Sequence, residues 1–168
     1  MPASRAGLPD RLFGHRSEPT TLAPMGTSWL ETVSGTTTEE LIALRPDLAA
    51  LIVDLQSNAA ASVGERTQQL LAVRAAQMIG DPEFLAAADP ALVEQATKWP
   101  THPGVSEFER AALDVCESFI MDAHSVTDEQ VVRLQRLAGD DGAVGVLLNL
   151  AVIDGFTKFR KVFTQGGR

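Results

Sequence analysis

The carboxylates between two predicted helices are the first candidates for chemistry in this chain. Asp81 and Glu83 follow a glycine in the segment VRAAQMIGDPEF, residues 73–84, where one apolar helix is predicted to end and another to begin. Asp81 lies near the apolar Met78 and Phe84 and is placed to exchange a proton with a substrate, as a general acid or base does. The Asp-Pro-Glu order is also a common helix start, in which Asp81 accepts hydrogen bonds from free amides. The sequence alone leaves both interpretations open.

Other polar side chains give weaker signals of a site. Asp154 and Lys158 lie four residues apart in the last predicted helix, the spacing of an ion pair that could also line a cavity or fix a subunit contact. His15 lies in the segment RLFGHR, which could fold over a neighbouring pocket. The three histidines share no metal-ligand spacing, and the sequence has no phosphate-binding loop or common hydrolase motif. We therefore expect no metal and no cofactor.

Charge and cysteine content narrow the classes of partner. The 168-residue chain has a formal net charge of −8, which disfavours nucleic acids and anionic membranes because both bind basic surfaces. A small-molecule substrate or another protein is the expected partner. Cys116 is the single cysteine, so no intrachain disulfide can form, and the N-terminus lacks a secretory pattern. The apolar run at 142–156 is shorter than the roughly 20 residues of a membrane span, so the sequence predicts a soluble, cytoplasmic protein.

Residues that start and end helices recur along the chain and predict an all-α fold. A Ser or Thr followed three residues later by Glu or Gln forms a capping box, and this spacing begins at Thr37, Ser62, Ser106 and Thr127. Asp-Pro pairs begin at Asp81 and Asp89, and Gly80 and Gly139 are candidate helix ends. The predicted helices, seven or eight in number, lie at about 38–44, 47–58, 63–79, 82–88, 90–98, 107–121, 128–138 and 141–163.

The chain divides into an arm and one helical domain. Residues 1–36 are rich in Pro, Gly, Ser and Thr and show no periodicity, so we expect an N-terminal arm followed by a single domain at 37–168. Within that domain, the helices at 63–79 and 141–163 are apolar on nearly every side. A helix apolar all round is buried all round, and in a domain this small that predicts burial against another subunit. We expect a homo-oligomer, a dimer, trimer or hexamer.

Several segments resemble a known superfamily. The stretch LIALRPDLAALIVDLQSNAAASVGERTQQLLAVRAAQMIG, the later HSVTDE and the closing LNLAVIDGFTKFRKVF are similar to the alkylhydroperoxidase D-like branch of the carboxymuconolactone decarboxylase superfamily. The resemblance covers about residues 40–163. It implies an alkylhydroperoxidase D-like helical bundle whose protomers assemble into an oligomer.

The chain differs from that branch at the positions of the catalytic motif. Peroxidase members of the branch carry a Cys-x-x-Cys motif followed by a His, with a proton-relaying Glu one helix earlier. Aligned on the glycine of the junction, this sequence has Asp81 and Phe84 at the two cysteine positions, Ala88 at the His position and Gln69 at the Glu position. Thiol peroxidase turnover needs an attacking thiolate and a resolving thiol, so we do not expect it here.

Two functions from different classes fit these residues. The first is a cofactor-independent acid-base enzyme of the lyase, isomerase or cyclase type, similar to carboxymuconolactone decarboxylase and acting on a small organic substrate. Its predicted catalytic residues are Asp81, Gln69 and Glu83, where the neutral Gln69 amide would hold a substrate carbonyl or carboxylate. The alternative is a non-catalytic, degenerate oligomer that binds a ligand or partner. The predicted substrate contacts are Phe84, Met78, His15, Asp154 and Lys158.

Overall fold

A computed structural model describes residues 38–164 of the chain. Over this range the backbone forms seven α-helices and one short 3₁₀ turn at Ala123–Ser125, with no strand, which confirms the all-α prediction. The arm at 1–36, together with His15 and the capping residue Thr37, lies outside the described residues. The helices are α1 (Thr38–Ala43), α2 (Pro46–Val63), α3 (Glu65–Ile79), α4 (Pro82–Ala87), α5 (Pro90–Thr97), α6 (Glu107–Met121) and α7 (Asp128–Thr164).

Side-chain caps begin four of these helices where the sequence predicts them. At the start of α6, the backbone N–H of Glu109 donates to Ser106 Oγ (3.2 Å) and the Ser106 N–H donates to Glu109 Oε2 (2.7 Å). Thr127 and Gln130 form the same reciprocal pair before α7. Asp89 accepts from the first turn of α5, and Asp81 does so for α4. Each cap satisfies amides that the helix itself cannot bond.

The predicted capping box at Ser62 is wrong. Helix α2 continues past the predicted end at residue 58 to Val63, so Ser62 lies inside that helix. Its hydroxyl donates to the carbonyl of Ala59 (2.6 Å) and approaches the carbonyl of Gly145 on α7 (3.3 Å). The turn between α2 and α3 is made by Gly64, whose φ of 81° lies in the left-handed region that a side chain disfavours. A glycine therefore separates these helices where a hydroxyl cap was expected.

Helix α7 joins two predicted helices. The segments predicted at 128–138 and 141–163 form one continuous element that is interrupted at Gly139, where φ is 72° and ψ is 179°. That backbone conformation is outside the helical region and is available to glycine. The glycine acts as a break within one long helix, and the sequence prediction of a boundary there was correct in position.

The core forms where α3, α6 and α7 meet. Its largest fully buried side chains are leucines from these three helices, namely Leu71 on α3, Leu113 on α6, and Leu134 and Leu150 on α7. The predicted burial of α3 is confirmed at most of its apolar positions. Because α3 also contacts α4 and α5, it connects the core to the short helices that surround the Gly80–Asp81 junction.

One side of α7 remains exposed in the single chain. Val144, Leu148 and Val162 are each more than half exposed, whereas Val146 and Leu150 are fully buried. Among the described residues, Asp128–Phe163 is the one helix long and apolar enough to cross a membrane by length and composition, a test that the core helix of a soluble protein also passes. The predicted burial of α7 on every side is therefore not reached within one chain.

Candidate functional site

Two helices meet at the junction that carries Asp81. Helix α3 ends at Gly80, which has a left-handed conformation and donates its N–H to the Ala76 carbonyl (3.0 Å). Asp81 follows, is 7% exposed, and accepts a hydrogen bond from the backbone N–H of Phe84 through Oδ1 (3.1 Å). The helix-cap interpretation of Asp81 is thus confirmed, and one of its two oxygens is occupied by that role.

The second oxygen of Asp81 pairs with a residue far away in the sequence. Arg160 on α7 donates to Asp81 Oδ2, and the side chains of this pair are only 9% and 20% exposed for the acid and the base. The same guanidinium lies over the ring of Phe84, 5.5 Å from its centroid. The neighbouring Lys161 donates to the carbonyl of Gly80. The end of α7 is therefore fastened to the α3–α4 junction by an ion pair, a cation–π contact and a hydrogen bond.

A cavity of about 240 Å³ lies beside this junction. One of its walls is a single face of α7, formed by residues that recur at intervals of three and four, which is the spacing of one helical stripe. The stripe is polar at its two ends and largely apolar between them. Its members are Asn149, Val152, Ile153, Phe156, Thr157 and Arg160.

The facing walls come from three other helices. Gln56 projects from α2, Gln68, Ala72 and Ala76 line the cavity from α3, and Phe84 closes it from α4. Small-molecule sites combine apolar walls, which provide affinity, with polar groups that fix the orientation of the ligand, and this cavity has both kinds of lining with a larger polar share than is usual. Its volume is slightly below the range typical of drug-sized ligands, which indicates a small occupant.

Asn149 is the least satisfied polar residue of this wall. Its side chain is 2% exposed, and its Oδ1 has no hydrogen-bond partner among the described residues. Buried carboxamides are normally bonded to protein or to ordered water, because an unmade hydrogen bond costs about 1–3 kcal/mol. The oxygen is closed off from solvent, so Asn149 holds an unsatisfied acceptor in the cavity wall, at a cost to the stability of the folded protein.

The predicted catalytic residues do not converge on this cavity. Gln69 is exposed, its amide is 3.4 Å from Glu65 Oε1, and it lines a separate, more open cavity of about 490 Å³ between α3, α4 and α5. Its neighbour Gln68 lines both this cavity and the first one. Glu83 is exposed at the start of α4, where it complements the helix dipole. Asp81 does not line the cavity, but it accepts a hydrogen bond from Arg160, which does.

The predicted substrate contacts divide similarly. Phe84 lies between the two cavities and lines both. Met78 packs against the core cluster instead. Asp154 and Lys158 form the expected ion pair, with Nζ 2.8 Å from Oδ2, and line neither cavity, while Asp154 Oδ1 is buried without a partner. His15 lies outside the described residues.

Comparisons with other proteins do not assign the chain to a family. No family model, curated protein or solved structure matches it. Within residues 38–164, no group of three His, Cys, Asp or Glu side chains lies close enough to hold a metal ion.

Three residues of the cavity, Asn149, Arg160 and Gln68, were not among those predicted from the sequence. The first two interrupt the apolar stripe of α7 at positions separated by eleven residues, three helical turns, which places them on one face. That spacing was the available signal. Gln68 differs from Gln69 only in register, and one residue of a helix turns the side chain by about 100°.

The lone thiol is inert in the folded protein. Cys116 on α6 is fully buried, and burial raises its pKa from 9.0 to about 12. The thiolate is the form of cysteine that reacts. Between about pH 9 and pH 12 the Cys116 thiol stays protonated in the folded protein, whereas it is ionised in the unfolded chain.

We expect Ellman's reagent to modify Cys116 at least about a hundredfold more slowly at pH 8 in the native protein than in guanidinium chloride. Absorbance of the released thiolate follows the reaction. Equal rates in the two conditions would show that the thiol is accessible and would reopen thiol chemistry.

Proposed function

We propose that this protein binds a small organic molecule in the cavity between α2, α3, α4 and α7 and performs no thiol chemistry. The observation that supports the proposal is a cavity of mixed polar and apolar lining, in which Gln56, Gln68, Asn149 and Arg160 supply polar groups from three helices. This matches the non-catalytic alternative drawn from the sequence. The buried Cys116 and the absence of a cysteine at the α3–α4 junction support the exclusion of peroxidase activity.

We further propose that the scaffold is that of the alkylhydroperoxidase D-like branch. The segments that resemble the branch lie in α1, α2 and α3, in the 3₁₀ turn before α7 and in α7, and the all-helical structure accommodates them. In this proposal the position of the reactive thiol is taken by Asp81, and its side chain now anchors Arg160 instead of reacting.

A second candidate is the acid-base enzyme of the lyase, isomerase or cyclase type. One observation favours it, since Asp81 is bonded directly to a residue that lines the cavity, and a ligand that drew Arg160 away would release a carboxylate there. Against it, no described Asp, Glu or His side chain lines the first cavity. If turnover of a substrate is found, Asp81→Asn should abolish it without changing the assembly, whereas full activity in that variant would remove Asp81 from the mechanism.

The proposed binding is tested by filling the cavity. Val152 lines this cavity from α7 and does not line the second one, so Val152→Phe should weaken binding of the uncharged fluorescent probe N-phenyl-1-naphthylamine by about tenfold or more, equivalent to about 1.4 kcal/mol. Probe emission rises in apolar surroundings, and titration gives the affinity.

The matched control for this test is Val144→Phe, at an exposed position of α7 that lines neither cavity. It should bind the probe as the wild type does. Absence of saturable binding to the wild type, or equal binding by Val152→Phe, would contradict the proposal.

We also propose that the protein is a cytoplasmic homo-oligomer. Leu51 and Leu55, one turn apart on α2, and Leu148 on α7 are each more than half exposed, and apolar side chains grouped on one helix face support self-association. A monomeric mass in sedimentation velocity would contradict the oligomer.

A further inference from the structure

We propose that the second part of α7 pairs with the same helix of a second copy of this chain, antiparallel, across a two-fold axis at the level of Ile153. This inference rests on the proposed self-association and names the surface that performs it. The surface is a row of exposed residues, called here the outer face of α7. Its members are Val144, Leu148, Ala151, Gly155, Phe159 and Val162.

The outer face follows one side of the helix. Its members are separated by three or four residues, and at 100° per residue they all lie within a sector of about 80°. Val144, Leu148 and Val162 are 54%, 58% and 67% exposed. An apolar row at this spacing on the solvent side of a helix is typical of a helix that packs against another helix.

The order of side-chain sizes along the outer face is the same in both directions. Large side chains lie at the two ends, and the two smallest, Ala151 and Gly155, lie at the centre. In an antiparallel pair centred at Ile153, Val144 lies opposite the partner's Val162, and Ala151 lies opposite the partner's Gly155. A two-fold contact requires such a self-complementary surface, because each copy presents the same residues to the other.

Gly155 leaves space at the centre of this face. No atom of the described residues lies within 4 Å of the position that a Cβ would take there. By contrast, a Cβ on Gly145 would lie 3.1 Å from the carbonyl oxygen of Ser62 on α2. Packing within one chain therefore accounts for the glycine at 145 and not for the glycine at 155, although a glycine weakens a helix. A second helix that approaches closely at Gly155 supplies the reason.

Charge favours the antiparallel direction. The second part of α7 begins with the exposed Asp140 and Asp141, and Lys158 and Lys161 lie near its end. A parallel pair would place like charges together at both ends, whereas an antiparallel pair places the acidic start of one helix beside the basic end of the other. The lysines keep the contacts within the chain that are described above, so this attraction acts at longer range.

The apolar area suits a dimer of moderate strength. From Val144 to Val162 the outer face is about 27 Å long, and a helix with its side chains is about 10 Å wide, which gives roughly 270 Å² of projected surface per chain. Accessible area exceeds projected area on a corrugated helix, and Leu48, Leu51 and Leu55 on the neighbouring helix α2 are also exposed. These areas approach the roughly 600 Å² per partner at the lower end of specific interfaces, so we expect dissociation in the micromolar range.

Gly155→Glu tests the centre of the contact. In the single chain the new side chain enters open space, and Glu favours a helix more than Gly does, so the variant should unfold in urea no earlier than the wild type. In the dimer it brings two carboxylates into an apolar contact. The dissociation constant from sedimentation velocity should therefore rise about tenfold or more. Ala86→Glu adds the same charge at an exposed position of α4 and should associate as the wild type does.

Cross-linking tests the direction of the pair. Val144 and Val162 are separated by eighteen residues, about 27 Å along the helix. Val144→Cys and Val162→Cys are prepared separately and treated with a bismaleimide much shorter than this separation. We expect a cross-linked dimer when the two variants are mixed and little when either is alone. The native Cys116 is buried, and the wild type serves as the control for its reactivity.

The outcomes distinguish this inference from the proposed self-association. A wild-type protein that associates equally well as Gly155→Glu would overturn the α7 contact and leave the oligomer intact. Efficient cross-linking of each cysteine variant by itself would overturn the antiparallel direction. A monomeric wild type would overturn both the contact and the oligomer, and its flotation with phosphatidylcholine vesicles would assign the outer face to a membrane instead.

Discussion

Asp81→Ala should lower the free energy of unfolding by about 3–5 kcal/mol, the usual effect of removing one partner from a buried ion pair. The substitution removes the acceptor for the Phe84 N–H and leaves the guanidinium of Arg160 without its carboxylate, although its side chain is only 20% exposed. It also detaches the end of α7 from the α3–α4 junction. Urea unfolding followed by circular dichroism measures the change.

Asp89→Ala is the matched control for this prediction. Asp89 caps α5 through the Ala91 N–H (2.8 Å), precedes a proline as Asp81 does, and is exposed. No ion pair is recorded for it among the described residues. Its loss should cost about 1 kcal/mol, the typical value of a helix cap. Equal losses in the two variants would reduce Asp81 to an ordinary cap and contradict the importance of its pair with Arg160.

Asn149→Leu should raise the free energy of unfolding by about 1–3 kcal/mol, because it replaces a buried carboxamide lacking a partner with an apolar side chain of similar size. The surrounding apolar residues Val146, Leu150 and Ile153 can accept it. The gain would identify Asn149 as a residue that reduces stability in the unliganded protein. Thermal and urea unfolding of the purified variant provide the measurement.

The control for this second prediction is Asn58→Leu. Asn58 is exposed on α2, and its amide donates to the Asp54 carbonyl, so its replacement should change the stability by no more than about 0.5 kcal/mol. A destabilised Asn149→Leu protein would mean that the carboxamide makes a favourable interaction in the folded state, and the argument from its unpartnered oxygen would then fail.

Local signals in the sequence predicted most of the fold. The caps at Ser106, Thr127, Asp81 and Asp89 act within three residues, so their spacing alone places the helix starts. Ser62 has the same spacing but does not cap a helix, because α2 continues to Val63 and the chain turns at Gly64. Where two helix-end signals overlap, tertiary packing decides between them, and the spacing of residues in the sequence carries no information about that packing.

The site was less predictable because its contacts join distant segments. Asp81 was found as a cap, but its partner Arg160 lies 79 residues later and has no local signature. Asn149 was passed over in a helix read as apolar on every side, and Gln69 was chosen one position away from Gln68. Each of these errors concerns which side of a helix faces which neighbour, and that depends on how α3 and α7 pack.

The break at Gly139 gives the two parts of α7 separate registers. Beyond it, one continuous run of helix holds both ends of the cavity wall at Asn149 and Arg160. An added residue at the break can be absorbed by backbone that is already non-helical, whereas the same insertion after Gly155 would turn Arg160 by about 100° away from Asp81. Insertions at Gly139 should therefore be tolerated, whereas insertions between Asn149 and Arg160 should disrupt the cavity wall.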